Sequence, residues 1–490
     1  MRRQARMLVL FGREVKARMF SSSSIRDPIH RIALLAALVS ALASPAAAQQ
    51  PRVRGPESKN MELVGMDPLQ GRDAYQPTIH HQGNRWVAYV GLHAGTALNP
   101  LTGKTEGNGT MVVDVTDPRR PQALAHIPGI HETPEKESQA QMARVCDIAG
   151  GTYLLRTGGS NSRHEIWNVT DPSRPQFVTV VVDGLKQTHK NWWECDTGIA
   201  YLVSGPPDWR ITRMMQVYDL SNPAKPVFIR NFGLDGMQPG STGPLAGRLH
   251  GMISYNGRVY MAWGSMNDGV IQILDREKLL KGDPEPTTQN LLAPQIGRLD
   301  MPPYWGAHTT YPMLNVPIPD LQGHGKVRDI LVVTSEGVRI GCDGPRHVVS
   351  ILDITNPATP YPISNYMVPE SSGGFCERGG AFGPHSVPES FSPIYHKKML
   401  FISYFNAGLR AVDIRDPFHP VEVGFYIPAV TERTKASCVD EAAQKGCETV
   451  IQTNNVEVDD RGYIYTADRA GTGLHILQVT GPALAIVNRP

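Results

Sequence analysis

The sequence predicts an all-β fold, a seven-bladed β-propeller of four-stranded blades closed by an N-terminal strand. Three observations lead to this prediction: a recurring repeat core, short apolar runs around each copy, and a further apolar run near the start of the mature chain. With 490 residues, the chain is long enough for one large repeat domain. Its 47 Gly and 40 Pro residues are scattered, which is typical of many short strands joined by turns.

The repeat core has the pattern V-x-D-V-T-D-P-x-x-P. Alternating Val, Ile and Leu residues before the Asp predict a strand with one buried face. The Asp-Pro or Asn-Pro pair predicts a turn, because Asp and Asn accept local backbone hydrogen bonds and Pro fixes φ. Five clear copies and two weaker ones begin, respectively, at Gly109, His164, Met214, His347 and Gly408, and at Gly269 and Gly473.

Each core is preceded by a further pair of apolar runs, and another such run follows most cores. Four short strands per repeat are the pattern of a propeller blade, and a lone blade cannot bury both of its faces. The last repeat lacks a clear fourth strand, whereas MELVGM, which starts at Met61, is similar to the fourth strands elsewhere. We therefore expect this N-terminal strand to complete the last blade and remove an exposed edge.

These cores resemble LVIVD repeats, which occur in exported bacterial and archaeal propellers. The resemblance covers almost the whole mature chain and implies the propeller fold. It does not choose an activity, because propellers host unrelated functions.

The N-terminal part of the chain has the features of an export signal. Basic residues precede an apolar run at residues 32–43, and small residues at 46–48 form a cleavage site. The apolar run is too short to span a bilayer, although a retained anchor is the alternative. We therefore expect residues 1–48 to be a signal-peptide region and residues 49–490 to be a single propeller domain. The mature protein would be periplasmic or secreted, with no membrane span.

An even number of cysteines in an exported chain predicts disulfides. The six cysteines allow 15 pairings. Three pairs are favoured. Cys438 and Cys447 are close along one loop, Cys342 and Cys376 flank one repeat core, and Cys146 and Cys195 occupy equivalent places in neighbouring repeats.

Charge and motifs do not favour several common functions. The net charge of +2 gives no support for a nucleic-acid partner. The sequence contains no G-x-S-x-G, P-loop or H-E-x-x-H motif, so hydrolase, nucleotide-binding and zincin functions are not indicated.

Histidines open the innermost predicted strand of four repeats. Equivalent positions of a propeller form a ring around its axis, and imidazole binds transition metals such as iron, copper or manganese. The predicted metal ligands are His189, His250, His308 and His385. At the same position we expect His80 and His81 in blade 1, Gln141 in blade 2 and Asn455 in blade 7. Alternatively, each histidine could hydrogen-bond the backbone of a neighbouring blade.

The loops between the second and third strands should turn at the same mouth as these histidines. Glu336 and Arg469 are the candidate catalytic residues, because each lies between a strand and a Gly in such a loop. They could orient ligating imidazoles, bind a polar substrate, or act as acid and base.

Three classes of propeller enzyme resemble this arrangement in architecture. Carotenoid-cleaving oxygenases hold iron with four histidines, methanethiol oxidases of the selenium-binding-protein type hold copper, and oligogalacturonate lyases hold manganese. The resemblance implies an exported metal-dependent oxidoreductase or lyase that acts on a small molecule. The alternative is a non-catalytic LVIVD-repeat propeller that binds a protein or glycan partner at the cell surface or in the periplasm.

Overall fold

The structure, a computed structural model, describes residues 54–129, 138–318, 327–338, 340, 342, 344–440 and 445–488. The predicted signal peptide, with its apolar run and cleavage site, lies outside the described residues. In the part of the chain that is described, no helix is long and apolar enough to cross a membrane.

Two short strands open the described chain, β1 (Glu57–Lys59) and β2 (Met61–Asp67). β2 is the MELVGM segment, and it pairs antiparallel with the last strand of the chain, with Met61 opposite Val479 and Asp67 opposite Leu474. β1 pairs with the outer strand of the preceding blade. The N-terminal closure predicted from the sequence is therefore confirmed, and the segment reaches two blades rather than one.

Seven four-stranded antiparallel sheets confirm the predicted blades. Blade 1 contains β3 (Ala74–Gln82), β4 (Arg85–Leu92), β7 (Thr110–Asp114) and β8 (Gln122–Ile127). Blade 2 contains β9 (Ala143–Ile148), β10 (Gly151–Gly158), β11 (Arg163–Asn168) and β12 (Gln176–Val182). Blade 3 contains β13 (Thr188–Trp193), β14 (Ile199–Ser204), β15 (Met214–Asp219) and β16 (Val227–Phe232). A hairpin of β5 (Thr96–Asn99) and β6 (Lys104–Gly107) extends from blade 1.

Blades 4 and 5 follow the same plan. Their strands are β17 (Leu249–Tyr255), β18 (Arg258–Trp263), β19 (Val270–Asp275) and β20 (Gln295–Asp300), and β21 (Thr309–Pro317), β22 (Val327–Thr334), β23 (Val349–Asp353) and β24 (Tyr361–Tyr366). Two short helices, α1 (Arg276–Lys281) and α2 (Thr288–Leu292), connect β19 to β20. Among the described residues, 3₁₀ turns lie at Leu69–Gly71, Gly159–Asn161 and Glu370–Ser372.

The N-terminal strands lie at the outer edges of blades 6 and 7: β2 completes blade 7, and β1 lies beyond the outer strand of blade 6. The two blades contain β25 (Met399–Ser403), β26 (Leu409–Asp413), β27 (Val421–Ile427) and then β1, and β30 (Thr453–Val458), β31 (Ile464–Asp468), β32 (Gly473–Val479) and then β2. The hairpin of β28 (Ala436–Asp440) and β29 (Lys445–Thr449) lies between the two blades, and helix α3 (Gly481–Val487) follows β32.

Blade 6 has an irregular innermost segment instead of a regular strand. The His385 N–H donates to the carbonyl of Ser403 at 2.9 Å, and the Ser403 N–H donates to the carbonyl of Ser386 at 3.0 Å. These bonds place the segment beside β25, where the inner strand of the blade belongs.

The repeat core folds as its chemistry predicts. In blade 1, the Asp114 carboxylate accepts the Thr116 N–H at 2.9 Å, and Asp117 accepts the Arg119 N–H at 3.0 Å. The corresponding pair in blade 6, Asp413 and Asp416, makes the same type of bond. Each turn is thus held by two side chains that replace missing backbone partners.

The three predicted disulfides are present, namely Cys146–Cys195, Cys342–Cys376 and Cys438–Cys447. The first joins β9 to the end of β13 in the next blade, and the third closes the β28–β29 hairpin.

Candidate metal centre

A ring of side chains stands where the innermost strands begin. Each blade contributes one residue, and together these are Tyr75, Gln141, His189, His250, His308, His385 and Asn454. In several blades the pairing register shifts at this residue, as between Leu249 and Gly251 or between Thr453 and Asn455. A bulge of this kind re-aims a side chain, which here lets it join the ring.

Two blades differ from the prediction. Blade 1 contributes Tyr75, because His80 lies further along β3, where its Nε2 is 3.1 Å from the Asp147 carboxylate. Its neighbour His81 stacks on Trp86. Blade 7 contributes Asn454 instead of Asn455, because the bulge moves the ring position by one residue.

The four predicted histidines are next to one another in the ring, and they are all buried, with exposures of 0 to 5 %. The Nε2 atoms of His189 and His250 are 2.8 Å apart. The rings of His250 and His308 have centroids 3.6 Å apart, and those of His308 and His385 are 4.3 Å apart. The rings of the four histidines meet, and two of them, His250 and His385, also bond the backbone of a neighbouring blade as the alternative predicted.

The Nδ1 atom of every ring histidine has a partner that orients the imidazole. These partners are the Gln141 Oε1 for His189 (2.9 Å), the His308 carbonyl for His250 (2.8 Å), the Thr309 hydroxyl for His308 (2.8 Å) and the Asn454 carbonyl for His385 (2.5 Å). A carbonyl only accepts, so Nδ1 carries the proton in His250 and His385. The Nε2 lone pair of each is consequently free for another bond.

Two ring nitrogens are buried with no hydrogen-bond partner, the Nε2 atoms of His308 and His385. Leaving such a group unsatisfied costs about 1–3 kcal/mol, so native proteins rarely do so without a reason. Burial lowers the pKa of all four histidines, those of His189, His250 and His308 well below the ordinary value. They are therefore neutral near pH 7, which is the form of imidazole that binds metals.

Glu336 reaches the ring from the loop after β22. Its Oε1 lies 3.7 Å from the His385 Nε2, and its Oε2 accepts the Ser265 hydroxyl at 2.6 Å. One carboxylate oxygen of Glu336 and one nitrogen each of His250 and His308 all lie within 4.8 Å of one another. Burial alone would raise the pKa of Glu336, but His385 and His250 hold it below its usual range. The sequence-based candidate is thus an ionised carboxylate beside the histidines.

Arg469 stands over the same ring from blade 7. Its Nε donates to the Asn454 side chain at 2.6 Å, and its guanidinium lies 5.0 Å from the centre of the Phe405 ring. Burial lowers the pKa of Arg469, and the nearby Glu336 charge acts in the opposite direction. Both residues chosen from the loops therefore lie close to the histidines.

Besides Asn454, Tyr75 and His93 of the centre were not predicted. The Tyr75 hydroxyl lies 3.1 Å from the His189 Nε2, and the His93 Nδ1 lies 3.2 Å from the Gln141 Nε2. The His93 and Tyr75 rings meet edge to face at 5.0 Å. His93 directly follows β4, so the rule that placed Glu336 at this mouth could also have found it.

Charged residues fill the channel immediately below the histidines, and we call Lys190, Arg144, Glu389 and Glu457 the ion-pair layer. The Glu389 carboxylate is paired with both Lys190 and Arg144. Glu457 accepts the backbone N–H of Glu389 at 2.8 Å and the Ser390 hydroxyl at 2.7 Å. Gly251 makes room for Lys190, because a Cβ there would lie 2.7 Å from the Lys190 Cδ.

An aromatic cluster lies below the ion-pair layer. Phe391 stacks on Tyr255 and Tyr311, with centroids 4.4 and 5.2 Å away. Above the ring, by contrast, a cavity of about 600 Å³ is lined by His250, Arg213 and Ser265. A small molecule therefore has room to approach the histidines from the loop side.

The family of LVIVD repeats matches residues 398–427 of this chain. The matched segment corresponds to β25, β26 and β27 in blade 6, and includes the core that begins at Gly408. No curated protein matches the sequence, so the resemblance to metal-dependent propeller enzymes stays a prediction.

Among solved structures, Sqt1 from Chaetomium thermophilum has a TM-score of 0.49 at 8% identity, covering 86% of this chain and 99% of that one. Sqt1 from Saccharomyces cerevisiae has 0.45 at 9%, covering 87% and 100%. A protein from Lactobacillus plantarum has 0.45 at 8%, covering 73% and 84%. The seven sheets and the family match together identify the chain as a seven-bladed β-propeller that carries an LVIVD repeat.

Proposed function

We propose that this chain is an exported propeller that binds one transition-metal ion, iron, copper or manganese, through His189, His250, His308 and His385. It would act on a small molecule at that ion as an oxidoreductase or lyase. The observation that carries the proposal is the 2.8 Å contact between the Nε2 atoms of His189 and His250.

This contact is unfavourable between two neutral imidazoles in their assigned tautomers. The His250 Nδ1 donates to a carbonyl, and the His189 Nδ1 donates to the Gln141 side-chain oxygen. With these tautomers both Nε2 atoms carry lone pairs. The Tyr75 hydroxyl donates to the His189 Nε2 at 3.1 Å, and a cation between the two nitrogens would bind both lone pairs. Two nitrogens that lie about 2.0–2.1 Å from one ion, at right angles to each other, are separated by about 2.9 Å, close to the distance observed.

The remaining donors suit the same ion. The Nε2 atoms of His308 and His385 have no hydrogen-bond partner, and the Glu336 carboxylate, 3.7 Å from the His385 Nε2, adds a harder ligand or a base. Imidazole together with carboxylate is a donor set for iron and manganese, and imidazole alone also suits copper. When bound, such an ion supplies Lewis acidity or redox chemistry.

The other residues would bind and orient a substrate. Glu336 can accept a proton at Oε1, because its Oε2 is already occupied by the Ser265 hydroxyl. Arg469 is fixed by Asn454 and offers its other donors to a polar ligand. The ion-pair layer and the Phe391 cluster fill the channel below, which keeps bulk water away from that side.

Export of the protein is part of the proposal. It is supported by the apolar run at residues 32–43 and by three disulfides, which persist in oxidising compartments. N-terminal sequencing of the exported protein should start within a residue or two of Gln49.

Elemental analysis of protein purified gently from the periplasm tests the metal site. We expect about one transition-metal ion per chain, and its loss in His250→Ala. The control is His164→Ala, because His164 is also fully buried but bonds the Val203 carbonyl at 3.1 Å, away from the ring. Absence of metal both as purified and after reloading would contradict the proposal and favour a non-catalytic propeller that binds a partner.

A further inference from the structure

We infer that the Cys342–Cys376 disulfide is a positioning device for the candidate centre, because it holds Glu336 opposite His385. Its consequence for metal binding rests on the proposed function. The position of Glu336 itself does not depend on a metal.

Two segments that both end at the candidate centre pair with each other between blades 5 and 6. The Gly337 N–H donates to the Pro384 carbonyl at 3.0 Å, and Ile340 pairs antiparallel with Ala381. The second pair lies three residues from the first on either segment, so one antiparallel register connects them. We call this pairing the cross-blade ribbon, and it comprises residues 336–338, 340 and 342 and residues 376–385.

The register of the ribbon brings Glu336 to His385. Glu336 directly precedes Gly337, and His385 directly follows Pro384, so the next position of the ribbon places the two opposite each other. The Glu336 Oε1 accordingly lies 3.7 Å from the His385 Nε2. The carboxylate therefore reaches the histidines through a pairing between two blades.

The two segments approach each other closely because glycine faces glycine. A Cβ on Gly337 would lie 2.7 Å from the Gly383 Cα, which is too close for a real contact. A larger side chain at Gly337 would push the segments apart and move Glu336 away from His385.

The disulfide closes the ribbon at the end away from the histidines. Cys342 ends the segment of blade 5, and Cys376 begins the segment of blade 6. The Cys376 end is fixed to blade 6, because the Asn406 side chain donates to the Phe375 carbonyl at 2.8 Å. The disulfide thus ties the loop that carries Glu336 to a segment that blade 6 holds in place.

Ser265 of blade 4 is the alternative support for Glu336. Its carbonyl accepts the Glu336 N–H at 2.9 Å, and its hydroxyl donates to Oε2 at 2.6 Å. These bonds act on Glu336 alone, whereas a disulfide limits the alternative conformations of the whole loop that it closes. If Ser265 were sufficient, removing the disulfide would leave the ribbon paired.

A second disulfide provides the matched control. Cys342 and Cys376 are separated by 34 residues, and Cys146 and Cys195 by 49, so loop-closure entropy predicts similar losses of stability when either pair is replaced. The Cys146–Cys195 bond joins blades 2 and 3, outside the ribbon. The two variants are Cys342→Ala/Cys376→Ala and Cys146→Ala/Cys195→Ala.

Amide hydrogen exchange in metal-free protein tests the position of the Glu336 loop. We expect the Gly337 amide to exchange about ten times faster or more in Cys342→Ala/Cys376→Ala than in the wild type. The control variant should leave this exchange unchanged. The inference is overturned if the amide exchanges at the wild-type rate in both variants, or if both accelerate it equally through a loss of overall stability.

Titration with Mn²⁺ and Cu²⁺ tests what the position of Glu336 does. Imidazole with carboxylate suits manganese, whereas imidazole alone suits copper. Cys342→Ala/Cys376→Ala should therefore weaken Mn²⁺ binding about 10–100-fold and leave Cu²⁺ binding nearly unchanged. Glu336→Gln should give the same pattern, and combining it with the disulfide variant should weaken Mn²⁺ binding no further, because both changes remove one ligand.

Equal weakening of both metals, or fully additive effects on Mn²⁺, would overturn the inference. If the wild type binds neither metal, the proposed function fails, and the hydrogen exchange of Gly337 alone decides this inference.

Gly337→Ala provides a second test if the disulfide variant does not fold. It separates the ribbon with the disulfide intact, so it should weaken Mn²⁺ binding in the same way. Gly55→Ala is its control, because a Cβ on Gly55 meets nothing within 4 Å. A folded Gly337→Ala protein that binds Mn²⁺ more weakly than Gly55→Ala supports the inference, and equal binding by the two contradicts it.

Discussion

The four ring histidines, which we call the histidine layer, and the ion-pair layer lie one residue apart along β13, where His189 is followed by Lys190. Both layers bury polar side chains at the axis, but they satisfy them differently. In the ion-pair layer, Glu389 is paired with two cations. In the histidine layer, the Nε2 atoms of His308 and His385 have no hydrogen-bond partner. Buried polar groups that are paired hold the blades together, whereas buried groups left open are available to a ligand.

Removing Glu389 should have the largest effect on stability. Glu389→Gln leaves Lys190 and Arg144 buried without their carboxylate, and breaking a buried pair in this way costs about 3–5 kcal/mol. Chemical denaturation with a two-state fit measures the loss.

The control is Glu277→Gln, which removes the exposed Glu277–Lys281 pair on α1, whose side chains are 73% and 75% exposed. It should change the free energy of unfolding by less than about 0.5 kcal/mol. Equal effects of the two substitutions would show that the ion-pair layer does not stabilise the ring.

The ion-pair layer should also give stability a pH dependence. Burial raises the pKa of Glu457 to about 7 from 4.5, against the attraction of Arg144. Between these values the folded state binds more protons at this group than the unfolded state. Its contribution is therefore fully present below about pH 4.5 and falls as pH rises through 7, by up to about 3 kcal/mol.

Glu457→Gln should remove this component. Denaturation of both proteins at pH 5 and pH 8 is the measurement, and the variant should lose less stability than the wild type between the two. If the difference between the proteins is the same at both pH values, Glu457 does not titrate in this range.

Unlike Glu389→Gln, removing a ring histidine should weaken metal binding strongly and change the free energy of unfolding little. His308→Ala should weaken metal binding by more than the roughly 10–100-fold that residues supporting a metal ligand contribute. In metal-free protein the free energy of unfolding should change by only about 1 kcal/mol, because the loss of the 2.8 Å bond to Thr309 and of the ring contacts with His250 and His385 is partly offset by removal of a buried, unsatisfied Nε2.

The control for this variant is His475→Ala. His475 is buried in β32 and its Nε2 bonds the Thr472 hydroxyl at 3.0 Å. It should cost stability and leave metal binding unchanged. A His308→Ala protein that binds metal as the wild type does would remove His308 from the site.

The repeat determines how much of the contrast between the histidine layer and the ion-pair layer could be predicted from the sequence. The four ring histidines occupy the same position relative to the repeat core. Alignment of the cores therefore predicted that His189, His250, His308 and His385 lie together. The ring position of blade 7 was missed because a bulge moves it by one residue, to Asn454. That of blade 1 was missed because β3 begins at Ala74, so that Tyr75 and not His80 lies at the start of the strand. The irregular inner segment of blade 6 has no sequence signal either, because only the backbone hydrogen bonds at His385 show where it lies.

The ion-pair layer could not be predicted from the repeat at all. Lys190 and Glu389 are 199 residues apart in the chain, and neither occupies a repeated motif. Only the closed ring brings them into contact. Side chains that repeat around the axis are predictable, whereas pairs formed across it require the structure.

The smallest expected effect is that of Tyr75→Phe, which distinguishes a histidine layer without metal from one that binds an ion. The Tyr75 hydroxyl donates to the His189 Nε2 at 3.1 Å in metal-free protein. An ion on that nitrogen would take its lone pair, so the hydroxyl would lose this acceptor. Tyr75→Phe should therefore cost about 1 kcal/mol of unfolding free energy without metal and almost nothing with metal. Tyr89→Phe, whose hydroxyl donates to Gln82 at 2.9 Å, should cost the same in both states. If Tyr75→Phe also costs the same in both, the ion does not bind at His189, and the ring would have to bind it through the remaining three histidines and Glu336.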